Sequence, residues 1–235
     1  MPTVADIKPL DEALLDLTLG DFIAHQALTV VPLLASPHPE PDWLTLAEAG
    51  GKVTITEVSE AGHVPVLGVT NDAERPLLLL HGEERVSSSV LVAAHSTLNI
   101  PLTCVERGAG HASEQNEILA ATRVALAPRP GQVGALVFVS GRWIGLDLLP
   151  SPALFAHAWS RLCAGYATDA LGARARRPRT VAAAEVLSRL AVAPLERAEA
   201  VGLGDELRLG GTLGGAALIA DGVVAHLRAF PAVIN

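Results

Sequence analysis

Residues Leu77–Arg107, LLLLHGEERVSSSVLVAAHSTLNIPLTCVER, decide how this chain is interpreted, because they hold two apolar runs separated by a polar crossover. Apolar runs of this length, rich in Leu and Val, are typical of buried strands. The crossover carries acids, a base and three serines, and a further acid and base follow the second run. Ionisable groups therefore gather where strands end, which is where binding and catalytic residues concentrate. The sequence predicts a functional site there.

Two later segments of equal length each predict an antiparallel hairpin. They are Gly134–Pro150, GALVFVSGRWIGLDLLP, and Gly215–Pro231, GAALIADGVVAHLRAFP, and both carry a glycine-containing turn at the same position. Asp221-Gly222 in the second segment is typical of a type I′ turn. The likeness places Asp147 and Arg228 at equivalent positions. Duplication and coincidence among apolar hairpins both remain open as its explanation.

A long amphipathic helix is predicted between the two hairpins, over about residues 151–171. Ser151 suits its N-cap, Pro152 its first turn, and apolar residues then recur every three or four positions. Both arms of the first hairpin are apolar on both faces, so this helix is expected to cover it. Shorter helices are predicted over Asp11–Leu19, Trp43–Ala49, Glu114–Leu126 and Val181–Leu190.

The strands before the central stretch are less uniform in pattern. Phe22–Val31 predicts one strand, and the four prolines of Pro32–Pro41 predict an exposed loop. Alternating polarity from Lys52 to Val58 predicts a half-buried strand. Val64–Val69 and Leu77–Leu80 predict a hairpin that leads into the central stretch. The fold class is α+β with a mainly antiparallel sheet built from hairpins. One domain over residues 1–235 is expected, with lobes of about 1–130 and 131–235 as the alternative.

Composition excludes several classes of protein. The chain has 235 residues, half of them hydrophobic, which is enough for a substantial core. The net charge of −8 disfavours nucleic acid, because such binding depends on clustered Lys and Arg. The N-terminus lacks a signal-peptide pattern and no apolar run is long enough to span a bilayer, so a cytoplasmic protein without membrane contact is expected. Cys104 and Cys163 are interpreted as buried free thiols rather than a disulfide or a nucleophile.

The central acids have a functional and a structural interpretation. Glu83 and Glu84 are adjacent, so on an extended chain at most one of them faces a given pocket. That carboxylate, together with Glu106, could serve as a general base or as a metal ligand. The structural alternative is a solvated turn with an ion pair to Arg85 or Arg107, and it is favoured. The histidines show no metal-binding spacing, so no metal ligand is assigned, although His63, His81, His95 and His111 flank the central sheet and a carboxylate–imidazole metal site stays open as an alternative. The cofactor is unknown.

Asp147 and His226 interrupt apolar strands. Burying either without a partner is costly, so Arg142 or Arg228 is expected to pair with the acid, and a carbonyl or carboxylate with the imidazole. A structural ion pair is favoured over a site. Ser87–Ser89 form a run, but a serine nucleophile needs a placed base and an oxyanion hole, and it is ranked low.

Short motifs in order along the chain resemble the prokaryotic ADP-ribosylglycohydrolase- and rhodanese-phosphatase-associated protein domain. The residues that carry the resemblance cover nearly the whole chain: Leu46, Glu48, Gly51, Glu57-Val58, Gly62–Pro65, Asn71, Arg75-Pro76, Gly82–Glu84, Ile100-Pro101, Cys104–Glu106, Gly141–Leu148, Leu162–Ala170 and Val224–Pro231. The resemblance implies a link to ADP-ribose or NAD-derived metabolites. This chain departs from the family at His81, where an aspartate is usual, at a shortened Arg85–Ser89 loop that lacks the usual Lys and Asn, and at Gly108–His111.

The sequence therefore leads to one hypothesis and one alternative. The hypothesis is a site that binds or processes a small nucleotide-related metabolite at the strand ends. Its catalytic candidates are Glu83, Glu84 and Glu106, and its ligand-binding candidates are Arg85, Arg107, His81 and Asn71. The alternative is a non-catalytic scaffold or homo-oligomeric module, in the simplest case a homodimer. The reaction type stays open.

Overall fold

The computed structural model of the chain describes residues 2–58, 66–83, 86, 88–101 and 112–232. Its helices are α1 (Val4–Leu15), α2 (Leu46–Ala49), α3 (Ala112–Ala125), α4 (Pro152–Asp169) and α5 (Ala182–Ala191). Its strands are β1 (Thr18–Leu19), β2 (Ile23–His25), β3 (Leu28–Leu34), β4 (Leu44–Thr45), β5 (Val53–Val58), β6 (Val66–Asn71), β7 (Leu77–Leu79), β8 (Val90–Val92), β9 (Ser96–Pro101), β10 (Gln132–Val139), β11 (Arg142–Leu148), β12 (Leu195–Glu199), β13 (Asp205–Leu209), β14 (Leu213–Ala220) and β15 (Val223–Pro231). The predicted α+β class with mainly antiparallel sheet is confirmed.

A nine-stranded sheet forms the centre of the molecule. Its order is β1-β3-β10-β11-β15-β14-β13-β12, with β2 also paired to β3, and every pairing is antiparallel. The two predicted hairpins, β10-β11 and β14-β15, are its four middle strands. Both hairpins turn through a non-glycine residue of positive φ followed by glycine, at Ser140-Gly141 and Asp221-Gly222. Both also have a register shift three residues before the turn.

The hairpins meet with local two-fold symmetry. Across the β11–β15 pair, Asp147 lies opposite Arg228, Leu146 opposite Ala229, and Leu148 opposite Leu227. Each residue of the first hairpin corresponds to the residue 81 positions later in the second hairpin. Under this correspondence the β11–β15 pairing is symmetric, because the equivalents of Leu146 and Leu148 are Leu227 and Ala229, and each is paired with the other's counterpart. The expected equivalence of Asp147 and Arg228 therefore corresponds to a symmetric pair, whose side chains lie side by side on one face of the sheet.

Helices cover both faces of the sheet. Residues of α1 and α5, among them Leu10, Val186 and Leu190, pack with Leu146 and Leu227 on one face. On the other face, α4 is buried against the middle strands; its Phe155 and Trp159 rings stack with centroids 5.2 Å apart. Ser151 Oγ accepts the Leu154 N–H at the start of α4. No helix in the described parts of the chain is long and apolar enough to cross a membrane.

Two three-stranded sheets adjoin the α4 side of the central sheet. One has the order β4-β7-β8, and its β4–β7 pair is the only parallel pairing among the described strands; the other has the order β5-β6-β9. Apolar residues between these two sheets form a core of their own. Trp43, Leu78 and Leu91 instead pack into the core beneath α4. The Trp43 indole donates to Asp221 Oδ2 at 3.0 Å, which ties the small sheets to the second hairpin.

Several expectations about the first hundred residues are wrong. Phe22–Val31 forms two strands, because Gln26, with φ of +53°, turns the chain between β2 and β3. The predicted hairpin of Val64–Val69 with Leu77–Leu80 is wrong for its described residues: β6 lies between β5 and β9, while β7 lies between β4 and β8. Strands that are adjacent in sequence usually pair with each other, but β6 and β7 belong to two different sheets, which pack against each other.

Pro32 lies inside strand β3, although its segment was predicted to be a loop. It is buried, lies opposite Ala135, and its carbonyl accepts the Gly20 N–H at 2.8 Å. The carbonyl and nitrogen of one strand residue point to the same neighbour, so the missing N–H faces the side where the two-residue strand β1 has just ended. Pro32 therefore removes no hydrogen bond from the pairing of β3 with β10.

The first two helices also differ from prediction. Helix α1 begins at Val4 rather than Asp11, because the Asp6 carboxylate accepts from the Thr3 N–H and hydroxyl and fixes the start of the helix. Helix α2 begins at Leu46 rather than Trp43, because Thr45 caps it; the Glu48 side chain accepts from the Thr45 N–H in the reciprocal bond. The predicted Val181–Leu190 helix is confirmed as α5.

Cys163 is a buried free thiol in α4, as predicted, whereas Cys104 lies outside the described residues. Burial raises the pKa of Cys163 to about 11. Since the thiolate is the reactive form, about one molecule in a thousand carries it at pH 8. We expect iodoacetamide at pH 8 to leave Cys163 unmodified in the native protein and to alkylate it in urea, with the native rate rising toward pH 11. Peptide mapping separates Cys163 from Cys104; rapid native alkylation of Cys163 at pH 8 would contradict the burial.

Candidate functional site

A buried polar cluster lies between the middle strands and α4. The Tyr166 hydroxyl donates to Asp147 Oδ2 at 2.5 Å, and His226 Nε2 lies 3.0 Å from Asp147 Oδ1. Asp147 and His226 are 1% and 2% exposed. Both carboxylate oxygens therefore have partners although the carboxylate is almost fully buried, which meets the requirement for burying a charged or polar group.

Strand alternation explains why these side chains meet. Leu146 and Leu148 face the α1–α5 side, so Asp147 between them faces α4. Arg228 lies opposite Asp147, and His226, two residues earlier on β15, shares that face and reaches Asp147 diagonally. Gly145 leaves room for the Tyr166 ring, because a Cβ there would lie 2.4 Å from the Tyr166 hydroxyl oxygen.

Ser89 extends the cluster toward solvent. It precedes β8, is half-buried, and its Oγ lies 2.6 Å from His226 Nδ1. The same oxygen accepts the His81 backbone N–H at 2.9 Å. A carboxylate can only accept, so the proton of the neutral imidazole lies on Nε2 toward Asp147, and Nδ1 then accepts the Ser89 hydroxyl proton. The result is a hydrogen-bonded array of Ser89, His226, Asp147 and Tyr166.

Burial tunes two groups at this site. Loss of water, and then the charge and hydrogen bond of Asp147, raise the pKa of Tyr166 well above its usual range, so the phenol keeps its proton and remains a donor. Burial lowers the pKa of Arg228, since desolvation disfavours the charged guanidinium. Arg228 lies over the Phe230 ring, with its Cζ 5.8 Å from the ring centroid, and forms no ion pair with any described carboxylate.

Two clefts of about 480 Å³ each meet at this array. Ser89, His226, Arg208 and Phe230 line one of them, and Asp147, Arg161 and Tyr166 line the other. His81 and Arg228 line both. Arg208 is committed to Glu206 by a 2.7 Å ion pair. A small molecule in either cleft would contact Arg228 and one end of the buried array.

The structure places three of the predicted site residues. Glu83 accepts the Leu80 N–H at 2.7 Å and lies 3.5 Å from Arg161 Nε, so it joins the turn after β7 to α4. His81 lines both clefts. Asn71 is fully buried, and its amide donates to the carbonyls of Arg75 and Ala93, so it fixes loops rather than lining either cleft.

The other four predicted residues, Glu84, Arg85, Glu106 and Arg107, lie outside the described residues. Within the described ranges there is no cluster of three or more His, Cys, Asp or Glu side chains that could hold a metal ion. The group that the structure does bring together is therefore a different one from the predicted Glu and Arg set.

The expected partners of Asp147 need correction. Neither Arg142 nor Arg228 forms an ion pair with it; its partners are His226 and Tyr166. Arg142 is at the exposed end of β11, five residues from Asp147, and Arg228 is beside Asp147 without reaching it. The expected carboxylate partner of His226 is confirmed. Tyr166 lies on the apolar face of α4 and was not singled out from the sequence. The internal likeness of the hairpins was the signal available, because it places His226 on the same face as Asp147.

A scan against protein families matches the ARG and Rhodanese-Phosphatase-superfamily-associated Protein (ARPP-1) domain over residues 16–117 and 110–230. The chain belongs to this family. The ARPP-1 match spans the small sheets, both hairpins and α4, and so includes every residue of the array. Comparison with curated proteins gives no match, and comparison with solved structures gives none either. The ARPP-1 name records an association with ADP-ribosylglycohydrolase (ARG) and rhodanese-phosphatase systems.

Proposed function

We propose that this chain binds and processes a small anionic metabolite, related to ADP-ribose or NAD, in the two clefts that meet at Arg228. The observation that carries the proposal is a half-buried guanidinium without an ionic partner among the described residues, next to a buried Ser–His–Asp array. The association recorded in the family name supports the nucleotide-related class of ligand.

Desolvation is the first support. A partly buried cation without a counter-charge is unfavourable, and an anion supplied by a ligand would relieve that cost. Arg161, which lines the second cleft, adds to this: its Nη1 donates to the His81 carbonyl, while its buried Nη2 has no hydrogen-bond partner within the described part of the chain. Two guanidinium groups thus hold unused binding capacity.

The chemistry of arginine is the second support. Its planar guanidinium matches phosphate and carboxylate oxygens with paired N–H donors. The whole chain carries a net charge of −8, so an anion is drawn to this site by local groups rather than by the overall field. The neighbouring His226 and Asp147 supply groups that can move a proton once the anion is bound.

A thermal-shift experiment with an Arg228→Met variant tests the proposal. Inorganic phosphate, AMP, ADP-ribose and NAD are each added to the wild-type protein, and the melting temperature is recorded. A ligand at 100 times its Kd should raise the midpoint by about 5–10 °C, because binding to the native state stabilises it by mass action. The Arg228→Met protein should lose the shift.

The matched control is Arg176→Met, which removes an exposed arginine from the linker before α5 and should keep the full shift. A shift that survives unchanged in Arg228→Met would contradict the role of this residue. No shift with any of the four compounds would favour the non-catalytic scaffold or homo-oligomer instead, whose mass in solution is then measured by light scattering.

A further inference from the structure

The end of the polar array that reaches the cleft is a serine hydroxyl. Ser89 is half-buried and lines the first cleft, whereas His226 and Asp147 behind it are almost fully buried. The His226–Asp147 and Tyr166–Asp147 bonds satisfy both carboxylate oxygens and leave only His226 Nδ1 to be matched. The additional 2.6 Å contact from Ser89 Oγ to His226 Nδ1 places a hydroxyl between an imidazole base and open space.

The second and third members of the array are held in fixed orientations. Tyr166 occupies Asp147 Oδ2, so Oδ1 remains directed at His226 Nε2. The imidazole is thereby kept in the tautomer whose Nδ1 lone pair faces the serine. The His81 N–H donates to Ser89 Oγ and favours negative charge on that oxygen as its proton leaves. An activated nucleophile is recognised by this sequence of contacts.

We propose that Ser89 is the nucleophile of a hydrolase that cleaves a carboxylic ester of an anionic small molecule, with His226 as its base and Asp147 as the group that positions the imidazole. Arg228, which lines the same cleft, binds the anionic part of the ester. This inference rests on the proposed function, since it requires the cleft to receive such an anion.

The reaction consumes one water molecule and no other co-reactant. Ser89 Oγ attacks the ester carbonyl carbon while its proton passes to His226 Nδ1. The bond to the alcohol oxygen then breaks, and that oxygen takes the proton from Nδ1, which leaves an acyl ester on Ser89. Water attacks this ester and gives a proton to Nδ1; the bond to Oγ breaks, and Ser89 regains its proton. The products are a carboxylic acid and an alcohol.

A fluorophosphonate probe tests the serine directly, because an activated Oγ displaces fluoride and keeps the phosphonyl group. The folded wild-type protein should be labelled on Ser89, as read by tandem mass spectrometry. The adjacent Ser88, which has no hydrogen bond to His226, is an internal control in the same peptide and should stay unlabelled. Ser89→Ala should abolish labelling, and His226→Gln and Asp147→Asn should slow it by about 100-fold or more. Absence of label on Ser89 in the folded protein overturns the proposal.

Ester substrates separate this inference from the function on which it rests. The wild-type protein should hydrolyse mono-p-nitrophenyl succinate, which carries a carboxylate, with a higher kcat/KM than neutral p-nitrophenyl acetate. Arg228→Met should lose this preference, about 10-fold or more, whereas the exposed-linker variant Arg176→Met should keep both the preference and the fluorophosphonate labelling. If the anion-dependent thermal shift is observed while Ser89 is not labelled, the role of Ser89 as nucleophile is refuted and the proposed binding function stands. If Ser89 is labelled without any preference for the anionic ester, the role of Arg228 falls.

Discussion

Replacing Asp147 with alanine should lower the free energy of unfolding by about 3–5 kcal/mol, because it leaves two buried donors without an acceptor. These are His226 Nε2–H and the Tyr166 hydroxyl, both of which donate to this carboxylate. Both donors are almost fully buried, since His226 is 2% exposed and Tyr166 7% exposed. Urea denaturation followed by tryptophan fluorescence measures the change.

The matched control for this substitution is Asp72→Ala. Asp72 lies on the surface after β6, and its side chain makes no hydrogen bond or ion pair with the described residues, so its removal should change stability by no more than about 0.5 kcal/mol. A small effect of Asp147→Ala, equal to that of the control, would mean that the cluster reorganises and that water replaces the carboxylate. Asp147→Asn keeps the volume and should cost less stability, while still disturbing the imidazole tautomer.

The central hairpins were predictable because their signals are local. A two-residue hairpin turn of type I′ needs positive φ at both positions, and Asp221-Gly222 is a residue pair that adopts this conformation readily. The helix after Ser151 is equally local, since a capping side chain and a repeat of three and four residues specify it. Pairings that depend on distant packing were not predictable: nothing in Leu77–Leu79 indicates that its partner is the parallel two-residue strand β4.

The functional site shows the same difference between local signals, which could be predicted, and long-range packing, which could not. The sequence showed that Asp147 and His226 were polar interruptions of apolar strands and that each needed a partner. It did not show that the two residues, 79 positions apart, were partners of each other. Ser89 is 137 positions from His226, and its contribution depends on how the small sheets dock onto the α4 side of the central sheet. The three consecutive serines in the sequence give no indication of that docking.

The two-fold likeness of the hairpins gives their differences a chemical meaning. Under the 81-residue offset, Gly145 in the first hairpin corresponds to His226 in the second, and Asp147 corresponds to Arg228. The first hairpin thus contributes the Asp147 carboxylate and, at Gly145, a position without a side chain. The second hairpin contributes the imidazole and the guanidinium. The space above Gly145 is occupied by Tyr166 from α4. A symmetric scaffold therefore holds four different groups around one pair of strands.

Gly145→Ala should consequently disturb the site more than its size suggests. The added Cβ would lie 2.4 Å from the Tyr166 hydroxyl oxygen and 2.7 Å from its ring, so the largely buried ring would have to shift. Overpacking and loss of the Tyr166–Asp147 bond together should lower the free energy of unfolding by about 2–5 kcal/mol. We expect a lower urea midpoint and slower fluorophosphonate labelling of Ser89, since Asp147 would no longer be held toward His226.

Gly165→Ala in α4 is the matched control, because a Cβ there meets no atom within 4 Å. Alanine is favoured over glycine within a helix, so this change should raise stability by about 0.5–1 kcal/mol. A double-mutant cycle assigns the mechanism. If Gly145→Ala acts partly through the Tyr166–Asp147 bond, then Gly145→Ala and Tyr166→Phe together should cost less than the sum of the two single changes. Strict additivity would show that the clash is relieved elsewhere and that Tyr166 keeps its contact with Asp147.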